Sequence, residues 1–188
     1  MILTFSEKTF REGNIEMPCK KLYMLVGLPA SGKSTWAKKR CSNNPNAICI
    51  SRDEIRFSLL KDGEDYFAKE KEVFKTFIAS IQQAMSDAFD YNEIYIDATH
   101  LNERSRQKVL NKLDINHWDI YLVNFITPIE ICIERNSYRV GRAFVPEETI
   151  RNMQNWRDII KPVFKYDYHL IEINEKGEIV NEQSFSDE

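Results

Sequence analysis

The chain has 188 residues, 43% hydrophobic and 29% charged, with 26 Lys and Arg against 29 Asp and Glu, a formal net charge of −3 and a pI near 5.7. That is the make-up of one ordinary globular domain, and its acid excess argues against a protein that coats long nucleic acid, though not against one that grips a strand end with a few arginines. No apolar run approaches the roughly 20 residues that span a bilayer, and Met1 to Lys21, with Glu7, Arg11, Glu12 and Glu16, does not read as a signal peptide. The expected location is therefore the cytoplasm, with no membrane partner. Cys19, Cys41, Cys49 and Cys132 are scattered and form no C-x-x-C pair, so neither a disulfide framework nor a zinc site is expected. His100, His117 and His169 are equally far apart and read as unrelated surface or core residues.

Hydrophobic periodicity gives a map in chain order. Leu22 to Val26 is a short apolar run ending at Gly27, as in a parallel strand buried on both faces. A helix is expected from Lys33 to about Cys41, and a second strand from Ala47 to Ile50. Ser51-Arg52-Asp53-Glu54 has capping-box spacing and predicts a helix start. The longest helical pattern runs from Phe67 to Phe89, with Phe67, Phe74, Phe77, Ile78, Ile81, Met85 and Phe89 on one broad face. Ile94 to Ile96 is a third strand ending at Asp97. Glu103 to Leu113 is a charged helix turning Val109, Leu110 and Leu113 inward, and Tyr121 to Ile126 is a fourth strand.

Thr127-Pro128-Ile129-Glu130 has T-x-x-E spacing with proline in the first turn and predicts another helix. Pro146 starts one carrying Ile150, Met153 and Trp156. Leu170 to Ile173 is a last strand, Lys176-Gly177 a turn, and Ile179-Val180 a candidate edge strand. Strands alternating with helices mean an α/β fold with a doubly wound, mainly parallel sheet and helices on both faces. One domain over residues 1–188 is expected, with 1–20 an N-terminal extension and 183–188 a frayed tail.

The chemistry is carried by Gly27-Leu28-Pro29-Ala30-Ser31-Gly32-Lys33-Ser34, a complete G-x-x-x-x-G-K-S loop. The motif alone can be accidental; a buried strand before it and a helix after it are the context that gives it meaning. Gly27 and Gly32 let backbone N–H groups turn around phosphate oxygens, and the helix from Lys33 points its positive end at the same anion. Lys33 is placed to reach the β- and γ-phosphates of ATP, Ser34 to hold Mg²⁺, and Thr35 to meet the α-phosphate.

Further segments arrive at the carboxyl ends of strands, where ligands bind in such sheets. Asp53 can take the proton of an attacking hydroxyl, with Arg56 on the same helical face to hold an anionic acceptor group; equally, Asp53 can favour a helix first turn and Arg56 be solvated. Asp97 can hold a Mg²⁺-bound water or be an ordinary strand-end carboxylate. In Glu134 to Arg142, the arginines Arg135, Arg139 and Arg142 flank Gly141. They read as a mobile lid that stabilises a transferring phosphoryl group, or as a helix end made basic to suit its dipole.

The segments GLPASGKSTWA, SRDEIR, IDATHLNERSR and ERNSYRVGRAFVPEETI, in that order over roughly Leu22 to Trp156, resemble the phage-type polynucleotide 5′-kinase domain. The resemblance implies a P-loop kinase with a five-stranded parallel sheet and an arginine-bearing lid, acting with ATP and Mg²⁺ on a 5′-hydroxyl nucleic-acid end. It implies Asp53 as general base, Arg56 as the grip on the acceptor phosphate, Lys33 and Ser34 as the loop lysine and metal-proximal hydroxyl, Arg139 as the lid arginine on the donor phosphates and Arg135 as a second. Val140 stands before Gly141 where the family often runs arginine directly into glycine, which leaves Arg139 and Arg142 as rivals. Kinases of small molecules or sugar nucleotides, and a non-catalytic ATP-binding regulator, are the competing readings.

Overall fold

The apolar run that opens the sheet begins at Lys20 and sits at its centre. The computed structural model describes residues 20–86, 88–160 and 166–186. Strand β1 (Lys20–Val26) pairs in parallel with β3 (Glu93–Asp97) on one side and β4 (Trp118–Phe125) on the other. Strand β2 (Ala47–Ser51) extends the sheet beyond β3, and β5 (Tyr168–Ile173) beyond β4, again in parallel. The order is β2-β3-β1-β4-β5-β6, in which β6 (Ile179–Phe185) runs antiparallel to β5. The chain leaves β1 towards β2 but leaves β3 towards β4. That reversal opens a crevice at the carboxyl ends of the central strands, where ligands bind in doubly wound sheets.

Helices cover both faces because successive strand residues point to opposite sides. Leu22 and Met24 of β1 join Phe77, Ile78 and Ile81 of α3 (Glu70–Met85) and Val109 and Leu110 of α4 (Glu103–Leu110) in one core. Tyr23 and Leu25 face the other way, against Trp36 and Ala37 of α1 (Lys33–Asn43). There Tyr23 stacks on Tyr95 at 4.6 Å, with Trp36 edge-on to Tyr95 and to Phe125. Helix α2 (Arg52–Leu59) follows β2 directly, while α5 (Ile129–Ser137) and α6 (Glu147–Asn155) pack through Cys132 and Ile150 against Leu28 and Leu101.

Six strands rather than five form the sheet. Gly177, at φ 82°, and the Asn174 side chain shape a tight turn after β5, so the chain doubles back as a full strand. Gln183 to Phe185, expected to fray, belong to that strand: Phe185 lies 5.0 Å from Tyr168, ring to ring, and Ser184 hydrogen-bonds His169. Lys20 belongs to β1, and the rest of the expected N-terminal extension lies outside the described residues. Helix α3 starts at Glu70 and ends at Met85, so Phe67 and Phe89 fall outside it and are exposed. Trp156 caps the end of α6 and is likewise exposed. Among the described residues no helix is long and apolar enough to cross a membrane.

His100 is a buried residue between the layers, with φ at 43°. Its Nδ1 lies 3.0 Å from the Leu25 carbonyl, to which the N–H form donates, while Nε2 meets no partner. Burial holds its pKa down near 4, against an ordinary 6.5. The folded ring therefore stays neutral while the unfolded one protonates, so stability is lost as pH falls from 6.5 through 4. The loss attributable to this ring is about 3 kcal/mol. His100→Asn, which tolerates positive φ, is expected to flatten that part of the pH profile. Urea unfolding at pH 6.5 and pH 4 checks it; the same loss in both proteins contradicts the assignment.

Candidate active site

The turn after β1 is held from several directions. The Gly27 amide donates to the Thr99 carbonyl at 3.0 Å, which ties the start of the loop to the segment after β3. A side chain at Gly27 has no room: a Cβ there would stand 2.8 Å from Ser31 Oγ and 3.0 Å from Phe125 Cβ. Ala30 lies in the left-handed region at φ 61°, and Gly32, at φ 105°, caps α1. Strain of the kind at Ala30 costs about 1–3 kcal/mol and persists only where the surroundings enforce it. One enforcer is Thr127, whose buried hydroxyl donates to the Ser31 carbonyl at 2.9 Å. Thr127 was expected to cap α5 through T-x-x-E spacing; instead Pro128 occupies the cap position and Thr127 braces the loop.

Lys33 is 7% exposed and turns back into the loop, donating to the carbonyls of Gly27 (3.0 Å) and Leu28 (2.7 Å) and to Ser31 Oγ (3.4 Å). Burial brings its pKa down to about 8; the Asp97 carboxylate is the chief opposing influence. The ammonium stays protonated at neutral pH. Ser34 donates to Asp97 Oδ2 at 2.5 Å. Burial pushes the Asp97 carboxyl up, opposed by Lys33 and by that hydrogen bond. Hydroxyl and carboxylate side by side at a phosphate loop suit Mg²⁺, which takes oxygen ligands and keeps several waters. Among the described residues no group of three or more His, Cys, Asp or Glu is placed to hold a metal ion by itself.

The segment after β2 forms a second, tightly paired group. Ser51 caps α2, its hydroxyl accepting from the Glu54 amide. Asp53 is exposed, but its Oδ1 accepts from Arg56 Nη1 at 2.8 Å and from the Tyr66 hydroxyl at 2.6 Å. Arg56 is only 4% exposed; its other partners are the Tyr66 oxygen at 2.7 Å and Glu70, which also holds Arg52. To touch an acceptor phosphate, Arg56 has its unpartnered Nε and the second hydrogen of Nη2 left to offer, unless it exchanges one of these bonds. Asp53 is near enough for its charge to act on both Lys33 and Asp97.

The arginines of the expected lid take different directions. Arg135 donates to the Glu175 carbonyl at 2.6 Å, in the turn between β5 and β6. Arg135 and Arg139 line a cavity of about 450 Å³ together with Gly32, Thr35, Trp36 and the turn at Lys176. Arg142 points away from it, to the carbonyls of Leu60 and Lys61 and to Asp62. The segment carrying Arg139 and Arg142 is closed at its base by Asn136, buried, which donates to the Val145 carbonyl and accepts from its amide. Gly141–Ala143 is a turn of 3-10 helix.

Sequence reasoning misses the site roles of Tyr66, Glu70, Thr127 and Asn136, and the place of the Lys176-Gly177 turn beside the cavity. No local signal points Tyr66 or Glu70 at Asp53 and Arg56.

A family model described as an AAA domain matches residues 22–160. The chain belongs to this AAA domain family. The chain is 29% identical over 177 residues to L-seryl-tRNA(Sec) kinase of Methanococcus maripaludis, covering 86% of this chain and 64% of the relative. A solved structure of a Pnkp1/Rnl/Hen1 complex is similar at 28% identity and TM-score 0.55, covering 69% of this chain and 43% of that one. An unliganded sugar kinase from Janibacter sp. is similar in fold, with TM-score 0.58 at 15% identity and 84% and 86% coverage. The chain thus spans less than two thirds of the curated relative and of the chain in the complex. The AAA domain has the fold of P-loop kinases.

The crowding at Gly27 yields a direct test. Overpacking of this kind costs roughly 1–3 kcal/mol, here at the phosphate cradle, so Gly27→Ala is expected to weaken ATP binding about tenfold or more. Calorimetric titration measures it; wild-type affinity would mean that the loop does not bind the nucleotide.

Proposed function

We propose that this protein is an ATP-dependent kinase that transfers the γ-phosphoryl group to an acceptor hydroxyl, with a polynucleotide 5′-hydroxyl as the preferred acceptor. The observation that carries the reading is Asp53, an exposed carboxylate held on one oxygen by Arg56 and Tyr66 and within electrostatic reach of Lys33 and Asp97. A carboxylate held apart from the phosphate loop and fixed on one oxygen suits general-base work on an attacking hydroxyl.

Phosphoryl transfer asks the protein mainly for positioning and charge neutralisation. Gly27, Leu28, Pro29, Ala30, Ser31, Gly32 and Thr35 cradle the phosphates through backbone and hydroxyl groups, and Lys33 leaves its loop carbonyls to meet them. Ser34, with Asp97 behind it, would hold Mg²⁺, which would supply charge neutralisation on the phosphate oxygens. Arg139 and Arg135 stand beside the donor cavity and act on the donor. Arg142 anchors the lid to the acceptor side. Asp53 orients the acceptor hydroxyl through its second oxygen and takes its proton late. Arg56 fixes Asp53 and supplies positive charge towards the acceptor's phosphate.

The resemblance in SRDEIR and NSYR and the similarity to the Pnkp1-containing structure support a polynucleotide acceptor. A second reading has its own observation: the curated relative is a kinase of L-seryl-tRNA, which would place the acceptor hydroxyl on a group carried by RNA. Incubation with γ-labelled ATP and Mg²⁺ separates these readings when a 5′-hydroxyl oligonucleotide, a seryl-tRNA and a pool of sugars and nucleosides are offered. Label on the oligonucleotide is expected; label only on another acceptor overturns the preferred one, and ATP binding without transfer overturns the kinase reading. Asp53→Ala is expected to lower kcat about 10²–10⁴-fold with little change in ATP affinity; near wild-type turnover rules out the proton-acceptor role.

A further inference from the structure

An exposed ring stands next to the acceptor carboxylate. Phe67 is 63% exposed. A lone exposed apolar side chain is ordinary, but this one is placed and fixed. It follows Tyr66, whose hydroxyl holds Asp53. Its amide donates to Asp65 Oδ1 at 2.8 Å and its carbonyl accepts from the Glu70 amide at 3.1 Å, so the backbone on both sides of the ring is tied. The ring meets Tyr66 edge-to-face at 4.9 Å and 82°, and the Arg56 guanidinium lies 5.9 Å from its centre. Tyr66 is in turn edge-on to Phe57. On the same connector Glu64 is matched by Lys69 and Asp62 by Arg142, while Asp65 accepts from the Phe67 amide.

A fixed aromatic surface open to solvent beside a proton acceptor suits a substrate that brings a flat group next to its hydroxyl. Nucleic-acid bases stack on such rings whatever their identity. We propose that Phe67 is the stacking platform for the base of the acceptor's 5′-terminal nucleotide. This subsite rests on the polynucleotide reading above and adds to it how the end is recognised: the ring takes the base while Asp53 takes the hydroxyl. Because stacking ignores the hydrogen-bonding edge, the enzyme discriminates weakly among the four terminal bases and strongly against a missing one.

The test uses steady-state kinetics with two oligonucleotides, alike except that one lacks the base at its 5′-terminal nucleotide. Stacking of one base is worth enough to change KM about tenfold. Wild-type protein is expected to show about a tenfold higher KM for the abasic acceptor. Phe67→Ala is expected to raise KM for the intact acceptor to that level, to remove the discrimination and to leave KM for ATP unchanged, while Phe67→Trp retains wild-type behaviour. An unchanged acceptor KM in Phe67→Ala overturns the subsite, as does an equal loss on both oligonucleotides, the mark of a purely structural role. Absence of transfer to either oligonucleotide by wild-type protein removes the polynucleotide reading itself, and the subsite with it.

Discussion

The tight turn after Val26 is the constraint on which the site depends. Gly27 must pass Phe125 with no Cβ between them, and its amide must reach the Thr99 carbonyl. Both neighbours come from other strands or their exits, β4 on one side and the segment after β3 on the other. Once those contacts are made, Ala30 is forced left-handed, Thr127 closes on Ser31, and α1 starts with its amide end turned into the crevice. Buried polar groups need partners, and here the partners are distributed over three adjacent strands. The phosphate loop is therefore a product of the sheet order as much as of its own eight residues.

A second constraint shapes the acceptor side. A guanidinium as buried as Arg56 is costly unless it is paired and hydrogen-bonded. Glu70, Asp53 and Tyr66 meet that need together, and Glu70 also takes Arg52. The consequence for chemistry is that Asp53 is fixed on one oxygen and open on the other. The two halves of the site are then built by different physics: backbone geometry at the phosphate loop, and a charge network on the proposed acceptor side. Arg142 joins them mechanically by docking its segment on the α2–α3 connector.

Much of this was legible in the sequence because it is local. The strand–glycine–helix context of the loop, the Ser51 cap and the alternating elements all follow from neighbours in the chain. Asp53 and Asp97 are site candidates by their positions after strands and Ser34 by the loop motif, and the fold brings Ser34 and Asp97 into contact. What was not legible depends on distant partners. Thr127 carries a helix-start signal and spends its hydroxyl on a loop 96 residues away. Phe67 fits a helical period, yet the Asp65–Phe67 turn keeps it out of α3 and on the surface. Arg142 and Arg139 are close together in sequence and point to opposite ends of the site, a separation that the 3-10 turn at Gly141–Ala143 produces and that no spacing rule reveals. The antiparallel strand β6 was visible only as Ile179-Val180, because Asn181 to Ser184 are polar and only Phe185 at its end packs back, on Tyr168.

On the proposed reading, the loop and Asp53 face a single transfer step, with the donor phosphate on one side and the acceptor hydroxyl on the other. Stereochemistry at phosphorus tests it most directly. With ATP made chiral by isotopic labelling at its γ-phosphorus, a single in-line displacement delivers the phosphoryl group to the acceptor with inverted configuration, which is the predicted result. Retention would mean two successive displacements through a phosphorylated residue of the protein and would contradict direct transfer across the site.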